Sequence, residues 1–214
     1  MAKSKKILIP NVEAQPGVQG NWRVERFTVT PDGASLYNMR ARASRHVVPG
    51  EYTRLTHYRD VIMSDTPAEK RDHSAFVRAA RGDVLITGLG LGMCVTAVLA
   101  KRSVKRVHVV ELSEDVIALT AQPLLDRYGD RLTIEHADAM KRVPADGEVW
   151  DAVWHDIWPT IAESNVRDMK ALRAKYERTL RDEKSFYGAW CERTCVALVN
   201  RPYVSMRSLP SFGW

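Results

Sequence analysis

From residue 82 onward, short apolar runs alternate with amphipathic stretches. Asp83 to Thr87, Val107 to Glu111, Leu132 to His136 and Trp150 to Asp156 each read as a strand of five to seven residues. Met93 to Lys101 and Ser113 to Tyr128 fall between them with helical spacing. The second of these helices has a Ser cap and early acids, and an interruption or kink is expected at Pro123. Such alternation predicts an α/β protein with a doubly wound, mostly parallel sheet. Upstream, Thr66-Pro67-Ala68-Glu69 predicts a helix start with a capping box, and the helix runs to about Ala80. After Pro159 the pattern is helical to about Asp182. Tyr187, Trp190, Cys191, Thr194, Cys195 and Leu198 then recur at helical spacing, so a helical C-terminus and no fifth strand are expected.

Before residue 66 the period is shorter. Residues 22–29 alternate as a strand, Pro31-Asp32-Gly33 reads as a turn, and Leu36 to Arg42 reads as the return strand. A second turn at Val48 to Glu51 leads into one or two strands over Tyr52 to Met63. The expected organisation is a mobile or loosely docked lead-in over 1–20, a small antiparallel β appendage over 21–65, and a cofactor-binding domain over 66–214.

Composition narrows the class. Hydrophobic residues make up 45% and charged residues 27% of the 214, an ordinary globular balance. No apolar run approaches the length of a membrane span, and Ile7-Leu8-Ile9 before Pro10 is too short for a signal-peptide core. The expectation is a cytoplasmic protein with no membrane partner. Three cysteines, Cys94, Cys191 and Cys195, fit a reducing compartment. Cys191 and Cys195 share a helical face without further ligands nearby, so structural thiols and no metal are expected. The net charge of +6 is spread along the chain, with no aromatic-interleaved basic block, which argues against nucleic acid; Arg167 to Arg181 reads as a solvated helix face or a docking surface, the solvated face being the default.

A parallel sheet binds ligands at the carboxyl ends of its strands. The first predicted strand ends in Gly88-Leu89-Gly90-Leu91-Gly92, whose glycines let backbone approach a ligand at the start of a helix. The second ends at Glu111, followed by Leu112. An acid 23 residues after Gly88 is placed to bond the two hydroxyls of a ribose. The third ends at Asp138-Ala139, with two readings: acceptor for an adenine amine, or cap of the following segment. The fourth ends at Asp156, the candidate base or orienting acid, and Trp158, which can stack on an adenine or a cation. Trp150, Trp154 and His155 read as packing residues, and Asp65, beside the capping Thr66, reads as structural at least as readily as a ligand group; His73 is noted without a role.

In this order, the glycine loop, Glu111, Asp138-Ala139 and Asp156 resemble the class I S-adenosylmethionine-dependent methyltransferases over roughly residues 50–160, and most of all their spermidine-synthase-like branch. Val84 to Thr87 ahead of the glycines, Ser64-Asp65 before a helix, and Asp151 five residues before Asp156 carry the latter likeness. The resemblance implies a Rossmann-like fold. It also implies that Gly88, Leu89, Gly90 and Gly92 lie under the amino-acid part of S-adenosylmethionine or its decarboxylated form, with Glu111 at the ribose and Asp138 at the adenine. Asp156 would stand in the place of the amine-deprotonating acid. Two departures stand out: Leu91 occupies the loop position where aminopropyltransferases carry an acid, and Ile157-Trp158-Pro159 lacks their second acid.

The expected function is therefore methyl transfer to a small-molecule or protein nucleophile. The first alternative is aminopropyl transfer to a polyamine-like acceptor; the second is a non-catalytic nucleoside-binding or assembly protein that keeps the fold. A second copy of the chain is a candidate partner.

Overall fold

In the computed structural model, residues 9–200 are described apart from 13 and 42. They form two sheets. The first is antiparallel, in the order β1-β2-β3-β4, from β1 (Gly17–Gln19), β2 (Trp22–Val29), β3 (Gly50–His57) and β4 (Asp60–Ser64). Between β2 and β3 lies α1 (Pro31–Arg40), where a turn and a return strand were expected. The reason is a cap: Thr30 Oγ1 accepts the Gly33 N–H at 3.1 Å, and Pro31 occupies the first helical position. Position 42, the end of the expected return strand, lies outside the described residues.

Of the segment expected as a mobile or loosely docked lead-in, the described part is docked. Ile9 and Ala14 are buried, Val12 N–H donates to Asp65 Oδ2 at 3.0 Å, and residues 17–19 form an edge strand. Asp65 also accepts the Thr53 N–H at 2.7 Å, so its role is structural. Residues 1–8 lie outside the described residues.

The second sheet is wholly parallel, in the order β7-β6-β5-β8-β9. Its strands are β5 (Gly82–Thr87), β6 (Val104–Glu111), β7 (Leu132–His136), β8 (Ala152–His155) and β9 (Phe186–Ala189). The helices are α2 (Pro67–Ala79), α3 (Met93–Leu99), α4 (Glu114–Tyr128), α5 (Asn165–Tyr176) and α6 (Glu192–Val199). The α/β class and the parallel sheet are as expected. β5 and β8 lie in the interior of the parallel sheet with both faces covered, so their sequences are continuous apolar runs rather than alternating ones.

β9 corrects the expected all-helical end. Tyr187 and Trp190 matched a helical period, yet residues 186–189 fill the edge beside β8. Cys191 then turns the chain at φ +52 into α6, outside that helix rather than on a face shared with Cys195. Residues 201–214 lie outside the described residues. α4 runs as one helix through Pro123, and its Ser113 cap is made, with Oγ accepting the Val116 N–H at 3.3 Å. The expected capping box of α2 is not: Thr66 makes no side-chain cap bond, which leaves Glu69 for another use.

Arg167 to Arg181 is not simply a solvated face. Arg173 pairs with Glu192 and Glu177, and Arg181 with Asp83 and Asp151. Among the described residues, no helix is long and apolar enough to cross a membrane.

Candidate functional site

The chain leaves β5, builds β6 and β7 outward, and returns to lay β8 against the other side of β5. Strand order therefore reverses between β5 and β8, which opens a crevice at their carboxyl ends. The two ends are in contact there. A Cβ on Gly88, at φ +93, would lie 2.0 Å from the Asp156 carbonyl oxygen, so only glycine lets these chains pass.

A cavity of about 350 Å³ occupies the crevice. Eight of the residues singled out in the sequence line it: Gly88, Gly90, Glu111, Leu112, Asp138, Ala139, Asp156 and Trp158. Two do not. Leu89 is buried in the core, and its N–H is taken by Glu111 Oε2 at 2.7 Å; Gly92 faces α4, where a Cβ would lie 2.5 Å from Leu124 Cδ1. Glu111 also accepts the Ser113 N–H at 2.9 Å through Oε1, so the backbone of two loops fixes its carboxylate at the cavity wall. Each oxygen keeps a second lone pair for a ligand hydroxyl.

Asp138 shows the capping geometry that was one of its two readings: Oδ1 accepts the Met140 N–H at 2.8 Å, and Lys141 stands 3.5 Å from Oδ2. Trp158 is buried at the cavity edge. Its indole N–H, like that of Trp190 across the cavity lining, has no partner among the described residues. Trp150 and Trp154 are core residues as expected, and His155 is sealed between Tyr176 and Tyr187 with Nδ1 2.9 Å from Thr87 Oγ1.

Sequence reasoning missed three contributors. The antiparallel sheet supplies one wall: Trp22 stacks on His57 at 4.4 Å between ring centroids, with Leu55 and Met63 beside them. Met63 lies on the glycine loop, its Sδ 3.4 Å from the Leu91 N–H and in the space a Cβ on Gly90 would need. The third is Glu69 of α2, in the cavity lining. Its spacing of four before His73 placed both on one helix face, but an acid three residues after Thr66 fitted a capping box equally well.

The electrostatics are one-sided. Glu69, Glu111, Asp138 and Asp156 line the cavity, and no Lys or Arg is among the described lining residues. Burial, then Glu69, Asp72 and Glu111, push the Asp156 carboxyl well above the usual carboxylate range. Burial and Asp72 push Glu69 up to about 7, with Arg45 pulling the other way. Behind Asp156 lie His73 and Cys94, both buried. Burial lowers His73 to about 4, and burial, Asp156 and Glu69 raise the Cys94 thiol. An acidic, apolar-walled crevice of this kind suits a ligand that carries positive charge and presents flat rings.

No protein-family model and no curated protein matches the sequence. Solved structures do resemble the fold. An S-adenosylmethionine-dependent methyltransferase from Clostridium acetobutylicum is 15% identical with a TM-score of 0.38, covering 55% of this chain and 46% of that one. The CcbJ methyltransferase from Streptomyces caelestis is 16% identical with a TM-score of 0.42, covering 56% and 48%. Phosphoethanolamine N-methyltransferase 1 from Haemonchus contortus, solved with phosphoethanolamine and S-adenosylhomocysteine, is 19% identical with a TM-score of 0.40, covering 51% and 23%. The chain is thus similar to parts of methyltransferase structures, spanning half or less of the length of each.

Proposed function

We propose that this chain is a transferase that binds S-adenosylmethionine in the crevice between β5 and β8 and passes its methyl group to a nucleophile held near Asp156. One observation carries the reading: four separate strand ends deliver Gly88 and Gly90, Glu111, Asp138 and Asp156 to one cavity. The residues fit the group. Glu111 is fixed where a ribose diol can bond it, Trp158 offers a flat face, and a lining with Glu111 and Asp138 and no Lys or Arg among its described residues suits a sulfonium cation. Bound there, the cofactor supplies a methyl group already activated on positively charged sulfur, so the protein's task is alignment. Asp156 and Glu69 hold the acceptor; burial raises both carboxyls above the usual carboxylate range, and Glu69, at about 7, is the one that takes a proton near neutral pH.

The same electrostatics favour a second reading, aminopropyl transfer from decarboxylated S-adenosylmethionine. That molecule has no carboxylate to be repelled, and Glu69 brings an acid to the cavity from α2 although Leu91 is not one. Calorimetric titration with S-adenosylmethionine, its decarboxylated form and methylthioadenosine separates the readings. Tightest binding of the carboxylated cofactor is the expected result; tightest binding of the decarboxylated form moves the second reading to first place. Glu111→Ala is expected to weaken binding about 10- to 100-fold, the worth of hydrogen bonds to a charged group, with its melting temperature measured alongside because Glu111 also anchors two backbone N–H groups. Binding of none of the three would mean that the crevice is scaffold.

A further inference from the structure

We propose that His73, Cys94 and Asp156 bind a divalent transition-metal ion of the zinc type at the inner end of the crevice. One ligand atom from each residue lies within 4.8 Å of the other two, with His73 Nε2 3.7 Å from Asp156 Oδ2. The three come from different elements: α2, α3 and the turn after β8. Their meeting is a product of the fold and not of local sequence.

The second observation is His73 itself. Its side chain has no exposure, and neither ring nitrogen has a hydrogen-bond partner among the described residues. A buried imidazole with both nitrogens unpaired is costly, and native proteins rarely leave such groups without a use. The 3.7 Å gap to Asp156 is too long for a hydrogen bond, but it suits two ligands on one small cation. With metal bonds of about 2.0 to 2.3 Å to nitrogen, oxygen and sulfur, tetrahedral neighbours stand about 3.3 to 3.7 Å apart. The trio, within 4.8 Å, therefore needs to close by about 1.5 Å at most.

The donor set selects the ion. A thiolate and an imidazole exclude calcium and magnesium, which take oxygen, and a mixed nitrogen, sulfur and oxygen set matches zinc or its cobalt substitute. Binding releases to solvent the Cys94 thiol proton and the proton of the Asp156 carboxyl as the bonds from sulfur and oxygen to the metal form, with no change of oxidation state. Asp156 is the member that lines the cavity, which puts the trio beside the crevice. Glu69, one helical turn before His73 on α2 and electrostatically coupled to both Cys94 and Asp156, stands on that side.

The proposal does not depend on the cofactor reading, and its test uses no nucleoside. The full chain, stripped with a chelator, is titrated with Zn²⁺ by calorimetry and with Co²⁺ by absorption. One ion per chain is expected, with a thiolate-to-cobalt charge-transfer band and the strong visible absorption of a four-coordinate site. Cys191→Ser combined with Cys195→Ala leaves Cys94 the one thiol of the chain and is expected to retain the band. Cys94→Ser is expected to abolish it and weaken Zn²⁺ binding at least tenfold, and His73→Gln serves if Cys94→Ser does not fold. Absence of the band in the natural chain, its loss in the double variant, or full-strength binding by Cys94→Ser would overturn the assignment. Should the crevice bind Zn²⁺ but no nucleoside, the metal site stands and the transferase reading falls; the reverse result separates them equally.

Discussion

Single side chains decide how the crevice is used, and Met63 is the clearest case. Its thioether sits on the glycine loop and accepts the Leu91 N–H at 3.4 Å, a donor that the proposed reading offers to the cofactor's carboxylate. Methionine is flexible enough to swing aside, at a cost. Met63→Ala is therefore expected to raise affinity for S-adenosylmethionine several-fold relative to methylthioadenosine, which lacks the amino-acid part. The ratio of the two dissociation constants checks it. His155 makes a prediction about stability instead. Burial, with Arg173 and Lys175 adding, pushes it down to about 3, so the folded protein keeps it neutral while the unfolded chain protonates it near 6.5. The unfolded state thus binds more protons between about pH 6.5 and 3, and stability is lost as pH falls through that window. One group contributes a slope of up to about 1.4 kcal/mol per pH unit. His155→Asn is expected to flatten the curve of unfolding free energy against pH between 6 and 5, as measured by urea titration. An unchanged slope would mean that His155 is already charged in the fold.

At the scale of elements, the connection from β7 to β8 has no helix, yet it carries Asp138 and Ala139 to the cavity. Arg142 holds it. Its guanidinium makes two bonds to Glu148, at 3.0 and 2.9 Å, and one to Glu135 at 2.9 Å, while Lys175 of α5 donates to the Ala139 carbonyl at 3.2 Å. Burial opposes the ionised state of both acids, but the Arg142 contacts outweigh it and hold Glu148 and Glu135 below the usual carboxylate range. A forked, nearly buried pair of this kind is strongly destabilising to break from one side. Arg142→Met is expected to cost about 2 to 4 kcal/mol in denaturant unfolding, and Arg142→Lys to restore only part of it. The elements also show what local pattern conveys. Thr30-Pro31 and Thr66-Pro67 both start helices, although Gly33 made the first look like a turn. A capping hydroxyl three residues ahead outweighed one glycine.

For the whole molecule, the crevice is a joint product of both sheets. The antiparallel sheet docks through β1 and β2 on α4, with Gly17 against Leu119, and this brings Trp22, Leu55, His57 and Met63 over the ends of β5 and β6. Long-range pairing also explains β9. Residues 186–189 have no strand signal strong enough to compete with the helical spacing around them, but β8 offers an open edge, and pairing there satisfies four more backbone positions. Four acids gathered with no lysine or arginine among the described lining residues are likewise a property of the assembly, since the chain as a whole carries a net charge of +6.

The parallel half of the fold and the chemistry at its strand ends are written locally in the chain. Apolar runs, glycines and caps act within a few residues, so Gly88, Glu111, Asp138 and Asp156 are legible at strand ends from the order of residues alone. Folding settles the rest. It selects which of those groups face one cavity, spends the Leu89 N–H and Gly92 on packing, and adds Met63 and Glu69 to the site. It also brings His73, Cys94 and Asp156 together from positions far apart in the chain. The physical reason is range. Backbone propensity and capping are local energies, whereas burial, close approach and the coupling of charges depend on neighbours that the chain acquires only by folding.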